Sequence, residues 1–135
     1  MDEYFDNFLI LDKFNVSRET FSTLNEFREK IIEKNNEINL ISTKSASNSM
    51  KRHIIDCAQV IDLIDINSKI CTDIGSGAGL PGIVLSILLR DKKINMKMNL
   101  YEKSYRKSSF LRAVSRKLKL DTEIFEETKS RYFGF

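Results

Sequence analysis

The sequence predicts an α/β fold, a parallel sheet of alternating strands and helices with further helices in front of it. Three observations carry this expectation. From Lys69 onward, short strand-like runs alternate with helical stretches. Four of the five glycines, Gly75, Gly77, Gly79 and Gly82, fall within eight residues, behind a β-branched run and ahead of an apolar one. Upstream of residue 66 the apolar side chains recur at helical spacing.

The elements follow in order. Phe21, Leu24, Phe27 and Ile31 place an amphipathic helix over 17–36, with Ser17 as its N-cap. Residues 35–48, rich in Asn, Ser, Thr and Lys, read mainly as a loop. Ile54, Ala58, Ile61 and Ile64 give a second helix over 48–66, which Asn67 and Ser68 break. A strand over 70–74 comes next. Pro81 suits the first position of the following helix, 81–90, because a missing N–H is harmless there. A strand over 96–101, a helix over 104–119 capped by Ser104, and a strand over 122–126 complete the pattern. Residues 1–66 thus read as an N-terminal helical segment and 67–135 as a partial parallel-sheet core. The two are expected to pack as a single compact domain, with 67–69 a junction and not a flexible linker.

Composition excludes several classes. With 41% hydrophobic and 30% charged residues the chain is neither membrane-spanning nor disordered. No apolar run approaches the roughly 20 residues of a membrane helix. The opening residues Asp2, Glu3 and Asp6 are acidic where a secretory signal would be basic, so the cytoplasm is the expected compartment. Cys57 and Cys71 form neither a metal-type cluster nor a disulfide framework, and no metal is expected. Charge is uneven: the first fifty residues carry net −3, residues 51–100 net +2 and residues 101–135 net +4. Between Lys103 and Lys119 stand seven Lys or Arg and no Asp or Glu. Such a helix is either a solvated face or a side turned toward nucleic acid.

The glycine segment admits two ligand classes. Gly77-Ala-Gly79-Leu-Pro-Gly82 satisfies the dinucleotide fingerprint, and Glu102 lies 20 residues beyond Gly82, where a ribose-binding acid is expected. Read from Asp73, an acid at the end of a strand followed by alternating glycines is the usual loop of S-adenosylmethionine-dependent methyltransferases. That ligand has no phosphate, so such a loop would cradle its adenosine and methionine parts through bare backbone. Glu102 serves either class, since a carboxylate at the end of the second strand can accept hydrogen bonds from both ribose hydroxyls. The plainer alternative is a surface acid paired with Lys103 or Arg106.

Several segments, in order, resemble the bacterial small-subunit ribosomal RNA methyltransferase G family (RsmG, also called GidB). The loop from Asp73 to Ile83 is close to the family's own version, including the Leu80-Pro81-Gly82 that most methyltransferases lack. Ile38-Asn39-Leu40, His53 with Asp56, and Lys107 with Phe110 and Leu111 are similar to other family elements. The resemblance implies a Rossmann-like methyltransferase fold that transfers a methyl group from S-adenosyl-L-methionine to a guanine N-7 of small-subunit (16S) ribosomal RNA. It implies that Gly75 and Leu80 contact the cofactor, that Gly77 and Gly79 shape the turn, and that Glu102 takes the ribose-acid position, where family members often have Asp. No catalytic residue is implied, because guanine N-7 carries a free lone pair and no proton.

The sequence also departs from the family. Lys34 stands where a Trp is usual, and the chain has no Trp. A polar insertion over 91–95 delays the second strand. The chain ends at Phe135 with fewer strands than a complete sheet needs, so a truncated member is expected. Two other readings stay open: a catalytically impaired relative that binds RNA, and a nicotinamide-dinucleotide-binding domain. His53, the one histidine, with Asp56, either fixes the N-terminal helix or touches RNA. Tyr101 and Tyr105 either stack on a base or pack within the protein.

Overall fold

A computed structural model describes residues 15–41 and 50–127. Helix α1 (Arg18–Asn35) is followed by α2 (Met50–Ala58) and a 3₁₀ segment, Gln59–Leu63. Then β1 (Ile70–Ile74), α3 (Gly82–Asp91), β2 (Lys97–Tyr101), α4 (Tyr105–Lys117) and β3 (Thr122–Phe125) alternate as the sequence predicts. The three strands form one parallel sheet in the order β1-β2-β3. Ile74 pairs with Tyr101, which in turn pairs with Phe125, so all three strands end level along the edge of the sheet where the glycine loop begins. The expected tail beyond 127 and the loop over 42–49 lie outside the described residues.

Helix α1 starts where its cap dictates. The Ser17 hydroxyl accepts the Thr20 amide at 3.1 Å, satisfying one of the N–H groups that a helix start leaves open. Its buried stripe is Thr20, Leu24, Phe27 and Ile31, and Phe21 is only half-buried. Thr20 is drawn inward because its hydroxyl donates to Asp91 Oδ1, which also accepts the Ser17 hydroxyl at 2.8 Å. Asp91 opens the polar insertion, so that insertion ties the start of α1 to the end of α3. Burial pushes the Asp91 carboxyl up, but the hydroxyls of Thr20 and Ser17, the Ser17 amide and nearby Lys92 together bring it below its usual value. A lowered acid contributes stability above its ordinary pKa and loses it as pH falls through the folded-state value. Asp91→Asn is therefore expected to cost about 1 kcal/mol near pH 7, tempered by the solvent that reaches this half-buried group. Denaturant titrations over a pH series check this: the gap between the two proteins should close on acidification.

The second helix is shorter than its apolar pattern suggests. It tightens to 3₁₀ at Gln59, where β-branched Val60 and Ile61 favour the α-helix less, and it ends at an extended Ile64. Helices α3 and α4 run on to Schellman ends. Lys93 (φ +58) and Lys119 (φ +56) turn left-handed, so that Ile94 N–H reaches Leu89 C=O and Leu120 N–H reaches Ser115 C=O, both at 2.9 Å. Arg90 closes the end of α4, its Nη1 donating to Leu118 C=O at 2.6 Å.

Every residue of α3 from Gly82 to Leu89 is buried, because α1 and α2 pack on it from one side and the sheet from the other. One apolar cluster joins Phe27 and Ile31 of α1, Ile54 of α2, the body of α3, Met98 and Leu100 of β2, and Leu111 of α4. The opposite sheet face is less covered. Ile70, Thr72 and Ile74 of β1 are exposed on it, and Tyr101 and Phe125 stack there with ring centroids 4.6 Å apart. Among the described residues, β1 is an edge strand. No described helix is long and apolar enough to cross a membrane.

Candidate cofactor site

The glycine loop leaves β1 and folds across the end of β2. The amides of Gly75 and Ser76 both donate to Tyr101 C=O, at 2.9 and 3.0 Å, which bends the chain at the strand end. Gly75 (φ +72), Gly77 (φ +55) and Gly79 (φ +92) are all left-handed. An L-residue at such an angle would cost about 1–2 kcal/mol. Space separates these glycines. A Cβ at Gly75 or Gly77 would meet nothing within 4 Å, whereas at Gly79 it would run into Ile83 and Leu111. The loop therefore packs its Gly79 side on the protein and leaves its Gly75 and Gly77 side open.

Gly82 answers a different need. A Cβ there would stand closer than 3.0 Å to Leu100 Cδ2 and to Asp73 Oδ2. Backbone contact is the reason: the Gly82 amide donates to Asp73 Oδ2 at 3.1 Å, so the acid at the end of β1 caps the start of α3. Burial pushes the Asp73 carboxyl above its usual range, against the pull of Ser76 and the Gly82 amide. Pro81 sits one position earlier than the sequence predicts, at the N-cap, where its carbonyl accepts the Leu85 amide at 3.0 Å.

Glu102 is not a surface acid. It is 7% exposed and partners neither Lys103 nor Arg106. Oε1 accepts the Gly77 amide at 2.9 Å and Oε2 accepts the Ser104 amide at 2.8 Å. Its own backbone is held at both ends, the amide by Phe125 C=O at 2.9 Å and the carbonyl by the Ser108 hydroxyl at 2.9 Å. One carboxylate thus clamps the glycine loop to the start of α4, and each of its oxygens keeps a second lone pair. Ser104 does cap α4, accepting the Lys107 amide at 3.3 Å. Its amide contact with Glu102 and the support from Ser108 have no signal in sequence, since serines near a helix start are common. In the loop itself, the amides of Ala78 and Leu80 find no acceptor among the described residues.

Gly75, Gly77, Gly79, Leu80 and Glu102 are therefore brought together at one end of the sheet. His53 and Asp56 lie exposed on α2, Tyr101 is buried, and Tyr105 stands out at the start of α4. Cys57 and Cys71 are free thiols. Burial, with Asp56 and Asp73 nearby, pushes Cys57 up to about 11, so it stays protonated at neutral pH. Among the described residues no group of three or more His, Cys, Asp or Glu is placed to hold a metal ion.

A glycine turn folded over a buried acid, at the ends of adjacent parallel strands, is the arrangement expected of a Rossmann-like fold such as that of methyltransferases. The chain belongs to the GidB family, rRNA small subunit methyltransferase G, whose family model matches residues 20–131. It is 50% identical over 129 residues to the ribosomal RNA small subunit methyltransferase G of Pelagibacter ubique, covering 94% of this chain and 61% of that protein. It is 34% identical over 115 residues to the protein of that name from Cereibacter sphaeroides, with 85% and 56% covered. With that of Bartonella tribocorum it shares 39% identity over 111 residues, with 82% and 51% covered. The chain thus spans between 51% and 61% of the length of these relatives. The matched stretch contains both the glycine loop and Glu102.

Proposed function

We propose that this chain carries the cofactor-binding part of a methyltransferase that uses S-adenosyl-L-methionine to methylate a guanine N-7 in small-subunit ribosomal RNA. The observation that supports it most is the clamp: Glu102 grips the Gly77 amide at 2.9 Å while the Gly75 and Gly77 side of the loop stays open. An open glycine surface beside a carboxylate suits a ligand with a ribose at one end and an amino-acid tail at the other. Glu102 would accept the ribose hydroxyls through its remaining lone pairs. Gly75, Gly77, Gly79 and Leu80 would border the tail, and the amides of Ala78 and Leu80 are donors for its carboxylate.

The bound cofactor supplies an electrophilic methyl group on a sulfonium. Glu102 and the glycine loop would hold that donor, and its methyl would pass to the guanine N-7 lone pair with the electrons of the broken S–C bond left on sulfur. N-7 carries no proton, so no side chain has to remove one. What the protein contributes is alignment of donor and acceptor.

The direct test is transfer of labelled methyl from S-adenosylmethionine to small-subunit ribosomal RNA, followed by mapping of the product to N-7. Label on guanine N-7 is the expected result. RNA binding without transfer would instead favour a relative that binds and does not methylate.

A further inference from the structure

Resting on that reading, we infer that the cleft between α1 and α4 seats the single-stranded RNA leading to the target base. The cleft measures about 810 Å³. Its apolar lining includes Ile38, Phe110 and Val114, and its charged lining includes Lys30 and Lys34 from α1 and Arg106 and Lys117 from α4. Glu33 and Glu37 also line it, and Lys34 is taken up by Glu37 at 2.6 Å. Lys30, Arg106 and Lys117 form no ion pair within the described residues, so positive charge dominates the cleft. Cations flanking apolar surface suit a flexible polyanion whose bases have faces to bury.

Two further features favour RNA over a peptide helix. Tyr105, at one end of the cleft, is 70% exposed beside Arg106, as a stacking platform must be and a packing residue need not. A smaller hollow of about 230 Å³ shares Glu37, Ile38 and Arg106 with the cleft and extends it to Ser104 and Lys107. The Ser104 amide donates to Glu102, the carboxylate proposed to hold the cofactor. A strand lying in the cleft would therefore be delivered to the methyl donor. The basic run from Lys103 to Lys119, ambiguous in sequence, gains a purpose in this geometry. Its Arg106 and Lys117 reach the cleft, while Arg112 and Arg116 stay on the outer surface.

The test uses the full chain and a short labelled single-stranded RNA, with a duplex of the same sequence as comparison. A Lys30→Gln, Arg106→Gln, Lys117→Gln triple variant should bind the single strand at least tenfold more weakly. The slope of log affinity against log salt should shrink by about 2, as expected for three lost phosphate contacts on a single strand. Tyr105→Ala should weaken binding by a further factor of ten or so without changing the slope. Arg106→Gln alone, expected to lower the slope by about 0.7, serves if the triple variant melts early. Each variant should bind S-adenosylmethionine as the parent does, which separates failure of the cleft from failure of the cofactor site. Unchanged RNA affinity and slope in variants that still bind cofactor would overturn the proposal, as would preference for the duplex or for an amphipathic peptide.

Discussion

Gly82→Ala is expected to destabilise the protein by about 2–3 kcal/mol. The added methyl has nowhere to go. It would press on Leu100, which is fully buried, and on the Asp73 carboxylate, whose contact with the Gly82 amide opens α3. Relieving either clash loosens the joint of β1, β2 and α3 on which the glycine loop stands. Gly77→Ala meets no neighbour and should cost only the left-handed backbone penalty, about 1–2 kcal/mol. Chemical denaturation of the two variants side by side distinguishes crowding at Gly82 from conformation at Gly77. Equal losses would show that the contacts around Gly82 can relax.

Changes at Glu102 should have the largest effect on both stability and ligand binding. Glu102→Ala strips two half-buried backbone N–H groups of their charged acceptor, at about 1–3 kcal/mol each. Glu102→Gln keeps the shape but has a single acceptor oxygen for two donors, so its NH₂ must face one of them. A cost of about 1–2 kcal/mol is expected, together with loss of most of the affinity for S-adenosylmethionine. Thermal melts with and without the cofactor check both parts: Glu102→Gln should melt lower and gain little from added ligand. A Glu102→Gln protein that gains as much as the parent would confine Glu102 to a structural role.

Much of this architecture is legible in the sequence because it is local. Ser17 and Ser104 announce the helices they cap, and the β-branched run over 70–74 is the strand observed. The run of glycines with Glu102 beyond it marks one end of the sheet. What the sequence hides is long-range or runs against habit. Thr20 displaces Phe21 from the buried stripe because of Asp91, 71 residues away. Lys93 and Lys119 occupy the left-handed positions that usually announce themselves as glycine, so the ends of α3 and α4 shift. Asp73 reads as the acid at the end of a strand, and no pattern shows that it caps α3. Glu102 reads as a ribose partner, and no pattern shows that it also clamps the loop to α4. The exposed face of β1 is equally silent, since Ile70 and Ile74 carry the strand signal whether or not anything covers them.

On the proposed function, the open glycine turn and the Glu102 carboxylate together receive the methyl donor. Backbone amide resonances of the full chain, followed during titration with S-adenosylmethionine, test it most directly. Saturable shifts confined to residues 75–80 and 102–104, largest at Gly75 and Gly77, are the expected result. Shifts clustered elsewhere, or a loop that stays silent at millimolar cofactor, would contradict it.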